Sequence, residues 1–467
     1  MSQRLKYLLK NIGILTISNF ASKILVFILV PLYTSVLTTG EYGTYDLLVS
    51  MVSMIFPILT LNIVDAVMRF CMDRSNSKKD IAIIGIKYII VSIGVVGLFL
   101  LIIYIFDFFP IITQYVPYLF LYYMSYVLNQ YFLQLAKGHE RVKDMGVAGI
   151  ASTVVMLFAN IFCLFVLKMG LIGFFIANIL GQFIPVIYYF IRLKYWKYIE
   201  FVRSNKKLEK EMLIYCVPLI TTVLGWWINN AADKYIVAVI CGLAANGILS
   251  VAYKMPNILH TLHSIFIQAW QISAVKEFGE NKAAEFYGRI FLYLNIILTI
   301  VCAGLIVLSK PLASILYSKE FYVAWQYVPF LLISSIFNSA SGLIGSILSA
   351  KKDSKAMALS AVYGAIANII LNIIFVKLAG IQGATVATLV SSIVIYAYRK
   401  RAVRDELKVE KYWKILISWM LLIVQALIEI YSTMWYFEFA IIAIIIIINS
   451  KDICDAIGSF KKKRYNE

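Results

Sequence analysis

The sequence predicts an all-α, polytopic membrane protein: two parallel-repeat six-helix bundles around a central cavity, plus two C-terminal helices, about 14 transmembrane helices in all. Three observations predict it. Of 467 residues, 61% are apolar and 15% charged, where soluble domains carry roughly 25% charged residues. The apolar residues come in runs of about 20 or more, the length of a membrane-spanning helix, and not in the alternating segments of a β-barrel. The charges collect between those runs.

Arg4, Lys6 and Lys10 precede the first run, 11–37. It is longer than a signal peptide's core and has no small-residue cleavage site, so it is read as a span. Spans at 45–70, 81–106, 114–136, 144–167 and 171–191 complete an N-terminal bundle, 1–191. A cytoplasmic basic linker, 192–211, leads to spans at 212–240, 248–275, 289–309, 326–349, 356–376 and 383–398, the C-terminal bundle, 212–398. Residues 399–467 hold a basic loop, extra spans at 415–431 and 436–449, and a basic tail.

A net charge of +18 would in a soluble chain suggest nucleic acid as a partner. Placement decides otherwise. Of 43 Lys+Arg, 34 lie in or at the edge of alternate loops counted from the N-terminus (Arg289 opens its span), four in the opposite loops (Lys168, Lys310, Lys319, Lys377) and five deeper inside spans. This is the positive-inside pattern; it places both termini in the cytoplasm and makes anionic lipid, not nucleic acid, the partner of the charge.

The chain repeats itself. Tyr115-Val-Pro-Tyr-Leu119 recurs as Tyr327-Val-Pro-Phe-Leu331, an offset of 212; Gly170, Gly173 and Ala177 recur as Gly380, Gly383 and Ala387, an offset of 210; Gly43 and Gly247 stand 204 apart. Anchors between spans six apart imply a duplicated six-helix unit, and because six is even both copies start on the same side of the membrane. Two like bundles enclose a cleft, and rocking one against the other exposes it to alternate sides, which is a transporter's architecture.

Enzyme signatures are absent from the sequence: there is no phosphate-binding loop, no G-x-S-x-G and no H-E-x-x-H. No loop is large enough to fold as a catalytic domain. The six cysteines are scattered without metal or disulfide spacing, and no cofactor is expected.

Ionisable groups inside a bilayer normally face a bundle interior or a wet cavity, so they locate the site. Candidate cavity cations are Lys23, Lys254, Arg69 and Lys234. Lys23 shares a stripe with Asn19 and Ser22 in the first span; Trp226, Asn229 and Asp233 share a face of the seventh; in the eighth, Lys254, Asn257, His260, Thr261, Ser264, Gln268 and Gln271 fall within about 120°. Asn19, Ser22, Asn229, Trp226, Asn257, Thr261 and Gln268 are the polar or aromatic lining, and Asp233, His260 and Asp65 the candidates for ion coupling. The plainer readings are an intrahelical ion pair for Asp65 and Arg69, snorkelling for Lys87 and Lys234, satisfied interior histidines for His260 and His263, and interfacial packing for Trp226. Two lysines, Lys23 and Lys254, against one acid, Asp233, suit an anion such as a diphosphate; a carrier of lipophilic cations needs the opposite balance.

These residues resemble the polysaccharide-transporter branch of the multidrug/oligosaccharidyl-lipid/polysaccharide exporter superfamily, in particular Wzx-type O-antigen flippases. The resemblance rests on Pro31-Leu-Tyr33 with Gly40-Glu-Tyr-Gly43-x-Tyr45, on Ala232-Asp-Lys-Tyr-Ile236 with Asn246-Gly247 and Ala252-Tyr253-Lys254, and on Ala350-Lys-Lys-Asp-Ser-Lys355 with Gly380-x-x-Gly383-Ala-x-x-Ala387-Thr388, and covers residues 1 to 400. It implies a flippase of the bacterial cytoplasmic (inner) membrane that moves an undecaprenyl-diphosphate-linked oligosaccharide outward for O-antigen, capsule or exopolysaccharide assembly, alongside polymerase and chain-length proteins of the same pathway. Alternatives are a multidrug or cation antiporter of the same fold and a lipid II flippase. Relatives that flip the peptidoglycan precursor engage the diphosphate with basic cavity residues, often Arg where Lys23 and Lys254 stand here; an ammonium binds as a point charge, without bidentate geometry.

Overall fold

A backbone that sits in hydrocarbon must satisfy its polar groups within each segment, which favours helices. The computed structural model describes residues 27–73, 77–107, 110–197, 205–280, 282–432, 434 and 436–465, and among them every regular element is helical. The chain forms two compact units, residues 1–227 and 228–467.

The first unit runs α1 (Phe27–Val36), α2 (Thr39–Leu59), α3 (Ile63–Cys71), α4 (Lys78–Phe106), α5 (Pro110–Thr113), α6 (Val116–Gly138), α7 (Val142–Ile161, prolonged by a π turn, Phe162–Val166), α8 (Gly170–Arg192), α9 (Lys206–Cys216) and the start of α10 (Leu219–Cys241). Thr38 starts α2 with a reciprocal cap: its hydroxyl accepts from the Glu41 N–H, and Glu41 accepts from the Thr38 N–H at 2.8 Å. The predicted span 45–70 is two helices. Leu61 and Asn62 take left-handed φ of 50° and 52°, and the axis breaks there. Packing α6 against α8, α3 and α4 buries Tyr123 and Tyr131, and Tyr33, Tyr42, Tyr45, Phe174 and Phe175 stack where α1, α2 and α8 meet.

The second unit continues α10 and adds α11 (Leu243–Ala252), α12 (Pro256–Glu277), α13 (Ala283–Val307), α14 (Ser309–Leu316), a 3₁₀ turn (Lys319–Tyr327), α15 (Val328–Lys351), α16 (Ser354–Ala402), α17 (Tyr412–Tyr431) and α18 (Tyr436–Tyr465). α15 is its centre, packed on α16, α12 and α13, with α17 and α18 against α13. Spans 356–376 and 383–398 are the two halves of α16, which folds sharply at Ala379 and Gly380.

Among the described residues, eight helical segments are long and apolar enough to cross a membrane. The other predicted spans fall on α1, α6, α10, α11 with α12, and α18. The surface is inverted relative to a soluble protein. α4 exposes Ile90, Val91, Val95, Leu98 and Phe99, and the first half of α16 exposes Val362, Ile366, Ile370 and Ile373, while Ser92, Asn368 and Asn372 on the same helices are buried. An apolar face of that extent is stable against lipid, not water. The buried hydroxyls and amides are largely satisfied within their own helices, as in Thr153 to the Gly149 carbonyl and Asn295 to that of Phe291.

The sequence repeats fall on helix starts. α2 and α11 begin at Thr39 and Leu243; α6 and α15 begin at Val116 and Val328, each with proline at the next residue; α8 and the second half of α16 begin at Gly170 and Gly380, with φ of +53° and +58°. The second glycine of each pair allows close approach to the preceding helix. A Cβ on Gly173 would lie 3.1 Å from the Cys163 carbonyl oxygen, and one on Gly383 would lie 1.9 Å from that of Phe375.

Candidate functional site

The predicted charges of the seventh and eighth spans come together inside the second unit. Asp233, on α10, is 3% exposed. One of its oxygens accepts the Tyr253 hydroxyl and the other the backbone N–H of Lys234, at 2.9 Å. The Lys234 ammonium lies 5.8 Å from the centre of the Tyr253 ring, a cation–π distance. Lys234 therefore turns onto this cluster instead of snorkelling away from it.

Lys254 corrects the sequence reading. The stripe from Lys254 to Gln271 assumed one continuous helix, but α11 ends at Ala252 and α12 begins at Pro256. Pro256 has no N–H for the Ala252 carbonyl, so the ladder lapses there. Half-buried Lys254 sits in that junction, held by an N–H bond to the Val251 carbonyl at 2.9 Å. Lys254 therefore belongs to the break that follows Tyr253 and not to the helical stripe of α12.

Along α12 the stripe divides. Asn257 and His260 are exposed, whereas Thr261 is buried and spends its hydroxyl on the Asn257 carbonyl at 2.7 Å. His263, outside the stripe, is buried where a Cβ on Gly342 would touch its Nε2 at 2.7 Å, and its Nδ1 has no partner. It is packed in the interior but not satisfied there.

In the first unit, Asp65 and Arg69 share α3, yet the expected ion pair does not form. Asp65 accepts from the Asn62 amide at 2.9 Å, and Arg69 is exposed. The broken second span explains this: Asn62, in its left-handed conformation, reaches the first turn of α3 and caps the carboxylate. Lys87, expected to snorkel, pairs with Glu209 at 2.7 Å, and Tyr88 donates to the same carboxylate at 2.8 Å. Lys23, Asn19 and Ser22 lie outside the described residues, as do the side chains of Trp226, Asn229 and Gln268.

Residues to which the sequence reading gave no site role also contribute. Tyr253 is the partner of Asp233. On α16, Asn368 donates to the Ser391 hydroxyl at 3.3 Å and Asn372 to the Asn368 carbonyl at 2.9 Å, leaving the Oδ1 atoms of both buried without a donor. In the first unit, the Trp227 indole donates to the Ser50 carbonyl at 3.1 Å and Asn129 donates to Gln182. Asparagines at i, i+4 on an otherwise apolar helix were the available signal for the α16 pair. Among the described residues no three of His, Cys, Asp or Glu come together as a metal site would require.

A buried acid bound to a phenol, with the Lys234 ammonium over the ring of that phenol and a second lysine, Lys254, in the adjoining helix break, is polar chemistry in a chain whose outer surface is apolar. The sequence profile of the polysaccharide biosynthesis protein family matches residues 8–271. The chain belongs to that family. A second profile, MatE, matches residues 218–374. Among solved structures the chain is similar to the lipid II flippase MurJ in an inward closed conformation, at 17% identity and a TM-score of 0.64 over 95% of this chain and 99% of that one. It is also similar to an inward-facing multidrug resistance MATE transporter of the MOP superfamily, at 12% identity and 0.59 over 84% and 98%, and to a MOP superfamily transporter from Pyrococcus furiosus, at 12% and 0.58 over 85% and 96%. No curated protein matches the chain. This polysaccharide biosynthesis family member thus has the MOP transporter fold.

Proposed function

We propose that this family member is a flippase that moves undecaprenyl-diphosphate-linked oligosaccharide repeat units from the inner to the outer leaflet by alternating access, for assembly of a surface polysaccharide. The observation that carries the reading is the charge arrangement in the second unit. Lys234 turns its ammonium onto the Tyr253 ring and Lys254 stands in the break between α11 and α12, next in sequence to Tyr253, while the neighbouring acid, Asp233, is buried and already accepts two hydrogen bonds. A diphosphate meets cations there without meeting an available carboxylate, and ammonium groups bind phosphate oxygens as point charges. Exposed Asn257 and His260 on α12 supply neutral groups at the same depth for sugar hydroxyls. In this reading the sequence offers Lys23, on the first predicted span, as a further cation, and Asp233 as the group to carry a coupling ion.

The reading is tested in cells whose surface glycan depends on this gene. Lys254→Ala and Lys23→Ala abolish glycan export while the protein remains in the membrane in normal amount; normal glycan in both variants removes the cation reading. A cation antiporter is the second reading, supported by the MatE match over Asp233 and Lys254. It predicts drug resistance on overexpression, lost in Asp233→Asn and kept in Lys254→Ala. A lipid II flippase predicts arrested growth on depletion instead of altered surface glycan.

A further inference from the structure

Arg399 lies at the end of α16, remote in sequence from every residue used above, and only 7% of it is exposed. Its Nε donates to the Ser360 hydroxyl at 2.9 Å and its Nη1 to the Ser341 carbonyl at 3.0 Å. Both acceptors are neutral, and the other N–H groups of the fork meet no acceptor among the described residues. The acid of the following loop, Glu406, is taken by Lys351 at 2.6 Å. Buried charges are ordinarily paired, because an uncompensated one loses its hydration for nothing. A guanidinium that served only to tie α15 to the two halves of α16 through serine oxygens would do no more than a glutamine amide.

The residue that supplies this carbonyl has a spare donor of its own. The Ser341 hydroxyl is buried and has no partner, on the residue whose carbonyl Arg399 takes. One turn along α15 stands Gly345, where a Cβ would come within 3.1 Å of Nη1, so the smallest residue keeps room beside the fork. A planar fork with unused donors, a hydroxyl with an unused proton and no nearby carboxylate to repel an anion form the donor set for a tetrahedral oxyanion: the fork takes two oxygens and the hydroxyl a third.

We propose that Arg399 and Ser341 form a binding site for a phosphate-class anion at this end of the second unit, filled by a phospholipid headgroup or by free phosphate. The site uses none of the lysines of the flippase reading and stands or falls without it.

The test uses the purified full chain in nanodiscs of phosphatidylglycerol or of phosphatidylcholine, with and without inorganic phosphate. Wild-type protein melts at a higher temperature with one of the two anions. A rise in phosphatidylglycerol discs alone assigns the headgroup, and native mass spectrometry then finds that lipid retained; a rise with inorganic phosphate in phosphatidylcholine discs assigns the free ion. Arg399→Gln loses the rise and Arg399→Lys keeps part of it. Should Arg399→Gln fail to fold, Ser341→Ala, which removes a hydroxyl with no protein partner, keeps the fold and shrinks the rise. No rise in wild type with either anion, or full wild-type rises in both Arg399→Gln and Ser341→Ala, overturns the site.

Discussion

Asp233 accepts from a tyrosine hydroxyl and from a backbone N–H in an interior where neither bond can be replaced by water without rearrangement. A hydrogen bond to a charged acceptor contributes about 1.5–3 kcal/mol. Tyr253→Phe therefore lowers stability by about that amount, measured as a fall in melting temperature, and the loss is smaller when Asp233→Asn is already present because the two share one bond. Equal losses in both backgrounds would mean that the phenol is not the partner. The charged members of this cluster, Asp233 and Lys234, and Lys254 in the adjoining break were legible in the sequence because ions are rare inside spans. The role of Tyr253 was not: it entered only as part of a family motif, and a chain with 31 tyrosines offers no reason to pick it as the partner of the acid. Arg399 was counted only as one charge of a basic loop, because burial of a helix end cannot be read from composition.

The helix starts that carry the repeats were the most legible elements, for the residues that fix them are local: Pro117 and Pro329, Gly170 and Gly380. The cap of Thr38 with Glu41 was missed, and the second span was read as starting at 45. Interruptions were not. The breaks at Leu61–Asn62 and before Pro256 lie inside apolar runs that hydropathy reads as continuous. The glycine pairs give a graded test. Gly383→Ala forces a methyl to 1.9 Å from the Phe375 carbonyl oxygen, overpacking against backbone that costs about 3 kcal/mol or more. Gly173→Ala meets Cys163 at 3.0 Å and costs about 1 kcal/mol. Gly304→Ala meets nothing within 4 Å inside α13 and stabilises by about 0.5–1 kcal/mol. Melting temperatures in the order Gly304→Ala, wild type, Gly173→Ala, Gly383→Ala bear this out, and any inversion refutes the close-approach account. The C-terminal pair adds a pH test. Burial raises the Asp452 carboxyl, but Lys414 and Lys411 outweigh it and hold the group below its usual range. The stability it contributes is present above the unfolded-state value, about 3.9, and disappears as pH falls through the lower folded-state value. Asp452→Asn is therefore destabilised at neutral pH, and its difference from wild type closes on acidification below about pH 4. A difference constant across that window would separate Asp452 from the clamp.

At the scale of the whole molecule, the lysines and arginines set the orientation and the cysteines can report it. The bias of basic residues toward alternate loops predicts that the α18 end, with Lys451 and the run from Lys461 to Arg464, lies on the inner side. The same count predicts that α10, which starts beyond the basic linker, carries its own end to the outer side. Each of these places holds an exposed cysteine: Cys454 on α18 and Cys241 as the last residue of α10; Cys71, Cys163, Cys216 and Cys302 are buried. A membrane-impermeant maleimide added to intact spheroplasts labels Cys241 and leaves Cys454 unreacted; in inverted vesicles the pattern reverses; after detergent permeabilisation both react and the four buried thiols stay silent. Cys241→Ser and Cys454→Ser assign each signal. Because α10 and α18 belong to different helix pairs, labelling of both cysteines from one side cannot be repaired by shifting a single span boundary. It would require an odd number of crossings between them to be replaced by an even one, and with that the parallel repeat and the alternating-access reading would fall together.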